Sequence, residues 1–397
     1  MLTRRQLLER AASLGAGAPA LGLAPLAWPA AGGQGLVPPA PRARYWASGA
    51  DAGKDCLRCH PAGEVLKAGH RHRAAAIKCL LCARGCTILP GGRGACRARA
   101  NVGGELKSLV YGRPLSITVD PIEKKPFYHF LPGSDAFSFG TSGCPLRCRF
   151  CQNWELSQSS PGDFSPAYRT PADLARAASL RRSPIVAFTY NEPTVFTEYM
   201  LDVAAESRQR GIRSVMVSCG LMNEAPLADL CAALSAIKID LKGFSEPFYR
   251  DVCGAELRPV LRSIRQIAAT KVHLEIVNLV VPSLNDSDRA LRDLVSFVAG
   301  ELGPDVPLHF SRFYPDYQLL HLPPTPVSTL ERARDLGMAA GLHYVYIGNI
   351  PGHAGNHTYC PACRKVVVRR EGFFVTGQHL VAGRCEYCRA PVKGVWA

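Results

Sequence analysis

From about residue 135 onward, short apolar runs alternate with longer stretches in which apolar positions recur every three or four residues. The runs are "AFSFGT" (136–141), "PIVAFTY" (184–190), "SVMVSC" (214–219), "AIKIDLKG" (236–243), "KVHLEIVNLVVP" (271–282), "PLHFSRFYP" (307–315) and "HYVYIG" (343–348). Runs of this length and composition predict buried parallel strands. The stretches 171–180, 193–210, 223–235, 286–300 and 328–340 carry the helical period. Repeated strand–helix units predict an α/β fold on a parallel sheet, either open or closed into a barrel. Near the C-terminus "VVVRR" and "FFVTG" predict two short strands, and residues 32–50, rich in Gly, Pro and Ala, read as a linker.

Polar residues fall at the ends of the predicted strands. Cys144, Cys148 and Cys151 follow the first, Asn191 and Glu192 the second, and Ser218, Cys219 and Gly220 close the third. Asp240 and Lys242 end the fourth, Asn285 and Asp286 follow the fifth, and His309, Arg312 and Tyr314 lie on or after the sixth. In a parallel sheet, groups at the carboxyl ends of strands converge on one mouth, where such folds place their chemistry. His129 is a further candidate for substrate contact, or a satisfied structural histidine.

The chain holds 16 cysteines, most in close sets, which in a chain of this size points to metal binding before disulfides. In "GCPLRCRFCQNW" three thiolates stand at spacings of three and two residues with no fourth nearby. Clusters kept for electron transfer usually take four thiolates, so three suggest a 4Fe-4S cluster with one iron open. S-adenosylmethionine offers an amine and a carboxylate to such an iron, and one electron into its sulfonium would release a 5′-deoxyadenosyl radical able to abstract hydrogen. Cys79, Cys82, Cys86 and Cys96 supply four thiolates in eighteen residues, for zinc or for an auxiliary iron–sulfur cluster. Cys360, Cys363, Cys385 and Cys388 have the paired-knuckle spacing of a zinc ribbon, whose four thiolates close the coordination shell. "CLRCH", with Cys56, Cys59 and His60, is a haem c attachment signature, and His70 or His72 could supply the sixth ligand; another metal held with neighbouring His and Cys is the alternative. Cys231 and Cys253 stand alone and read as small buried apolar residues.

The three-cysteine motif, with Phe150 before its last cysteine, resembles the signature of the radical SAM superfamily. "FTYNEPT" (188–194) is similar to the segment that holds the methionine amine there, which implies that role for Asn191 and Glu192. "IDLKG" (239–243) resembles the strand end of pyruvate formate-lyase activating enzymes, placing Asp240 and Lys242 near the carboxylate and ribose, with Ser218 and Cys219 where that family has a polar pair. Over residues 76–397, "CLLCARGCTILPGGRGACRARANVGG", "DPIEKKPFYHFLPGS" and "YIGNIPGHAGNHTYCPAC" resemble the radical SAM enzyme of the AmmeMemoRadiSam system. That resemblance implies a partial (β/α)6 TIM-like barrel over 114–354, a four-cysteine module over 76–113, a zinc ribbon over 355–397, and Memo-like and AMMECR-like partner proteins. The enzyme would need a low-potential electron donor, and its substrate is not named by the sequence. Activation of a glycyl radical enzyme, or electron transfer by an exported iron–sulfur and haem protein, are the rival readings.

Charge and the N-terminus add a second layer. The net charge of +15 resolves into +12 over residues 1–113, +5 over 355–397 and −2 between them, so the basic excess follows the cysteine-rich ends. Arg and Lys offsetting metal-bound thiolates account for it, and no aromatic residues interleave the basic runs as a nucleic-acid surface would require. Residues 1–31, with Arg4-Arg5, a mildly apolar Ala/Gly/Leu stretch and small residues near Ala30, read as a twin-arginine leader and not as a membrane span. A leader and a haem site point to export, whereas S-adenosylmethionine and strong reductants are cytoplasmic supplies. Residues 32–75 form the linker that carries the haem-type motif.

Overall fold

A computed structural model describes residues 39–48 and 76–397. The leader with Arg4-Arg5, the "CLRCH" set of Cys56, Cys59 and His60, and His70 and His72 lie outside the described residues. Each apolar run from the sequence forms a strand in one eight-stranded sheet. In chain order the first strands are β1 (Trp46–Ser48), β2 (Ile77–Cys79), β3 (Thr87–Ile88), β4 (Arg99–Val102) and β5 (Glu105–Ser108). The main sheet contains β6 (Leu115–Pro121), β7 (Asp135–Gly140), β8 (Ile185–Phe188), β9 (Arg213–Ser218), β10 (Ala236–Asp240), β11 (His273–Val280), β12 (Leu308–Arg312) and β13 (Val345–Gly348). These eight lie side by side in sequence order, and all pairings from β7 to β13 are parallel. β6 is antiparallel to β7 and forms one edge, β13 the other.

Six helices, 171–180, 197–208, 224–233, 257–268, 288–297 and 327–339, link the parallel strands. Six strand–helix units are thus followed by a seventh parallel strand, so the seven apolar runs account for all seven parallel strands. The helices form where the sequence supplies both a stripe and a start. In 257–268, Leu257, Val260, Ile264 and Ile267 are buried at helical spacing while Arg258 and Arg265 face solvent. Thr170 and Asp173 form a reciprocal capping box at the start of 171–180, and the Ser287 hydroxyl accepts the Ala290 N–H at the start of 288–297. The helix 224–233 lacks a side-chain cap because the Asn223 amide donates instead to the Leu80 and Cys82 carbonyls.

The described residues from 40 onward belong to one unit, in which the cysteine-bearing segments 79–96 and 360–388 pack against the sheet and its connections. The N-terminal segment is built from the small sheet β1–β2–β3 and the hairpin β4–β5 over a core of Ala43, Ile77, Leu81, Ile88 and Leu106. It is fastened by a buried two-pronged pair between the Arg99 guanidinium and the Glu198 carboxylate on helix 197–208. The C-terminal segment contains β14 (Thr358–Tyr359), β15 (Val366–Glu371), β16 (Phe374–Gln378), β17 (Leu380–Val381) and β18 (Arg384–Cys385). It packs on Tyr128, Tyr344 and Tyr346 through Val367 and Val392. No helix among the described residues is long and apolar enough to cross a membrane.

Candidate active site

Because side chains alternate across a strand, Lys238 and Asp240 on β10, Glu275, Val277 and Leu279 on β11, and His309 and Ser311 on β12 share one face of the sheet. The register places Lys238 beside Glu275, Asp240 beside Val277, and Val277 beside His309. That face opens into a cavity of about 310 Å³, within the range of small-molecule sites. Cys144, Cys148 and Cys151 line it together with Asn191, Glu192, Ser218, Asp240, Lys242 and His309, which the chain delivers from the ends of four strands and from the strand floor.

The cysteine loop is held from three sides. The Asn191 side-chain amide donates to the Thr141 hydroxyl and the Gly143 carbonyl, and its oxygen accepts the Thr141 N–H, so Asn191 fixes the turn leading from β7 into the motif. Gly143 has φ +92°, and a Cβ there would lie 2.3 Å from the Cys96 carbonyl oxygen, a contact only glycine avoids. The Arg147 and Arg149 N–H groups donate to the Cys253 and Val252 carbonyls. The Leu146 N–H reaches the Cys144 sulfur at 3.4 Å, an orientation that favours a thiolate or a metal-bound sulfur.

Glu192 is buried, and its carboxylate accepts from the Thr194 N–H, the Thr194 hydroxyl, the Ser218 hydroxyl at 2.7 Å and the Cys219 N–H at 2.7 Å. Ser218 therefore reaches the site as a partner of Glu192. Tyr190, just before this pair, has φ +73°, a strained value for a side chain of its size; its hydroxyl is tied to Thr118 and to Asp120. Asp240 is shared between two lysines, Lys238 at 2.6 Å and Lys242 at 3.3 Å. Burial opposes its ionisation, but these two ammonium groups hold the carboxyl down at about 2. For Lys242 burial likewise opposes charge and the Asp240 carboxylate outweighs it, raising the ammonium well above its ordinary value. Lys238, deeper in the floor, is shifted down because burial wins over the same carboxylate.

Three of the weaker candidates lie outside this cavity lining. Both His129 ring nitrogens are engaged, with the Lys393 carbonyl and the Tyr346 hydroxyl, and the ring is wedged among Tyr344, Tyr346 and Trp396. Arg312 donates to the Thr325 carbonyl and the Tyr314 hydroxyl, and Tyr314 donates to the Asn349 carbonyl, so both side chains secure the loop beyond β12. Asn285 likewise closes its own loop through the Lys242 and Leu279 carbonyls. Conversely, the sequence reading passed over Lys238 and Glu275. Glu275 is buried, accepts the Tyr128 and His129 N–H groups, and contacts His309 at 2.6 Å and His273 at 3.0 Å. Burial works against its charge, yet the two imidazoles keep its carboxyl well below the usual range. The structure also brings Cys219 onto the cavity wall, and Cys253, 0% exposed, against Cys148.

At the far end of the chain the Cys360, Cys363, Cys385 and Cys388 sulfurs all lie within 4.8 Å of one another, the spread one tetrahedral ion can span.

Comparison with known proteins agrees with this geometry. Residues 139–295 match the radical SAM superfamily. An uncharacterized protein of Methanocaldococcus jannaschii is 41% identical over 314 residues, which is 79% of this chain and 93% of that protein. The pyruvate formate-lyase-activating enzyme of Clostridium pasteurianum is 22% identical over 158 residues, 39% of this chain and 66% of that enzyme. The isethionate sulfite-lyase activating enzyme of Desulfovibrio desulfuricans is 24% identical over 109 residues, 27% of this chain and 35% of that enzyme. The chain therefore contains a radical SAM superfamily domain with homology to the pyruvate formate-lyase activating enzymes.

Proposed function

We infer that this radical SAM enzyme holds a 4Fe-4S cluster on Cys144, Cys148 and Cys151 and binds S-adenosylmethionine in the cavity on the inner face of a partial barrel. The observation that carries this reading is the donor set: three cysteines on one loop line a single cavity with Asn191, Glu192, Asp240 and Lys242. The fit is good on three counts. A backbone N–H already points at the Cys144 sulfur. The extra thiol on the cavity wall, Cys219, is engaged with Glu192 and leaves the fourth corner to a small molecule. The Asp240 carboxylate and Lys242 ammonium, both charged, suit a zwitterionic amino acid with hydroxylated ribose.

When bound, the cluster and S-adenosylmethionine supply a carbon-centred radical that takes hydrogen from substrate. The chain's own contribution is placement. Asn191 fixes the cysteine loop, Glu192 joins the ends of β8 and β9 through Ser218 and Cys219, and Lys238 and Lys242 hold Asp240 ionised at the mouth of β10. The Cys360 set holds zinc and supports the packing of Tyr128, Tyr344 and Tyr346. Memo-like and AMMECR-like proteins are the proposed partners, and a low-potential donor the proposed reductant. Likeness to two activating enzymes supports a second reading, in which the hydrogen comes from the backbone of a partner enzyme.

The test is anaerobic: reconstituted protein with S-adenosylmethionine and dithionite, 5′-deoxyadenosine quantified beside a Cys144→Ala/Cys148→Ala/Cys151→Ala variant. Product from the native chain alone supports the reading. Equal absence from both, with iron loading verified, refutes it.

A further inference from the structure

Cys79, Cys82, Cys86 and Cys96 line one small enclosed space, closed on its other sides by Arg99, Pro145 and Thr194. Cys79, Cys82 and Cys96 are buried. The Ala95 N–H donates to the Cys86 sulfur at 3.4 Å, and although burial pushes the Cys79, Cys82 and Cys96 thiols up, backbone N–H groups of Leu81, Arg84, Ala98 and Arg99 act the other way on them. Backbone donors acting on every sulfur stabilise negative charge there, which four buried neutral thiols have no use for. A second observation points the same way. Arg99 is 0% exposed, borders this space, and its Nε has no hydrogen-bond partner although its two other nitrogens hold Glu198. An anionic group within the space would satisfy it and would balance a buried cation.

The sulfur spacing separates the two metals that the sequence leaves open. One tetrahedral zinc with Zn–S near about 2.3 Å draws its four sulfurs to roughly 3.8 Å from each other. The Cys360 set shows this, with Cys360 and Cys388 at 3.6 Å and Cys363 and Cys385 at 3.7 Å. Among the described residues the Cys360 set is the group of ligands gathered within 4.8 Å, and the Cys79 set is more widely spread. A polynuclear core needs the wider spread, because each thiolate binds a different iron.

We propose that Cys79, Cys82, Cys86 and Cys96 hold a second iron–sulfur cluster, with Arg99 as its buried counter-cation. It lies next to the three-cysteine loop. Pro145, which follows Cys144, bounds its space; Arg84 donates to the Pro145 carbonyl at 2.9 Å, and Arg97 to the Ser157 carbonyl at 2.7 Å. The cluster is fully ligated by protein, so its role differs from that of the open site.

The experiment uses the full chain, reconstituted anaerobically with iron and sulfide, and measures iron, acid-labile sulfide and zinc per chain together with Mössbauer spectra. The native chain should carry about eight iron, and the Cys144→Ala/Cys148→Ala/Cys151→Ala variant, whose N-terminal module is untouched, should retain about four with matching sulfide. Adding Cys86→Ser and Cys96→Ser to that variant should remove the remainder, with circular dichroism checking the fold. A triple variant without iron and sulfide, whether it carries one extra zinc per chain or no extra metal, overturns the proposal. The reading of the open site fails separately, if the triple variant and the native chain hold the same iron.

Discussion

The burial of His129 makes acid stability a sharp test of the packing between the main sheet and the C-terminal segment. The ring is 0% exposed, its centroid is 4.4 Å from that of Tyr344 and 5.2 Å from that of Trp396, and its Nδ1–H donates to the Lys393 carbonyl while Nε2 accepts from the Tyr346 hydroxyl. Burial drives its pKa from 6.5 to about 3, against the opposing pull of Glu275 and the Lys393 carbonyl. Between those values the native state keeps the ring neutral while the unfolded chain takes up a proton. Stability is therefore full above the unfolded value and falls with decreasing pH, by about 1.4 kcal/mol per unit once well below it. Integrated from pH 8 to pH 5 the loss is about 2 kcal/mol, a result insensitive to the native value as long as that lies far below 5. The variant His129→Gln can keep both hydrogen bonds without an ionisable group. At pH 8 it should be less stable by about 1–2 kcal/mol, from lost ring contacts. That gap should close by about 2 kcal/mol on going to pH 5, as read by urea unfolding under anaerobic conditions. His309 and His357, also shifted down chiefly by burial, titrate in both proteins and cancel in the difference. Free energies for the two proteins that run parallel from pH 8 to pH 5 would refute the reasoning.

Four further outcomes follow from named contacts. Glu198→Ala strands the buried Arg99 cation and should cost about 3–5 kcal/mol, seen as a lower melting temperature and faster proteolysis within 76–113; unchanged protection there counts against the docking described. Gly143→Ala forces a Cβ onto the Cys96 carbonyl, so 5′-deoxyadenosine output should collapse even where iron is supplied in excess. Glu192→Gln turns an amide N–H toward the Cys219 N–H; at about 1–3 kcal/mol for a buried unsatisfied donor, S-adenosylmethionine should bind roughly tenfold more weakly by equilibrium dialysis. Cys363→Ser with Cys388→Ser should remove about one zinc per chain and lower stability without abolishing iron loading, and unchanged zinc content would exclude the C-terminal set as its site.

What the sequence made legible was whatever has a short-range signature. Apolar runs such as Ile185–Phe188, buried along their whole length, announce themselves, and so do ligand spacings fixed by a single loop. β6 was missed because Leu115–Pro121 lies at an edge with a mixed, partly exposed pattern, and the strands of the N-terminal module are two to four residues long, too short for a period to emerge. Lys238 in the floor of the cavity, and Glu275 beside it in the sheet, were missed for a different reason. Lys238 and Glu275 sit inside strands that read as apolar throughout, and which face each side chain takes is settled only by the register between β10 and β11. Once Lys238 stands beside Glu275 and Val277 beside His309, the polar residues of the strand interiors become one buried charged wall. Arg312 and Tyr314 show the converse. They sit at the right strand end by sequence, but the loop beyond β12 folds back and commits their donors to Thr325 and Asn349. A strand end thus nominates residues, and the hydrogen bonding of the loop decides which remain free. By that measure the Asn191 amide is committed to the Thr141 hydroxyl and the Gly143 carbonyl, whereas the Lys242 ammonium meets Asp240 on the cavity lining.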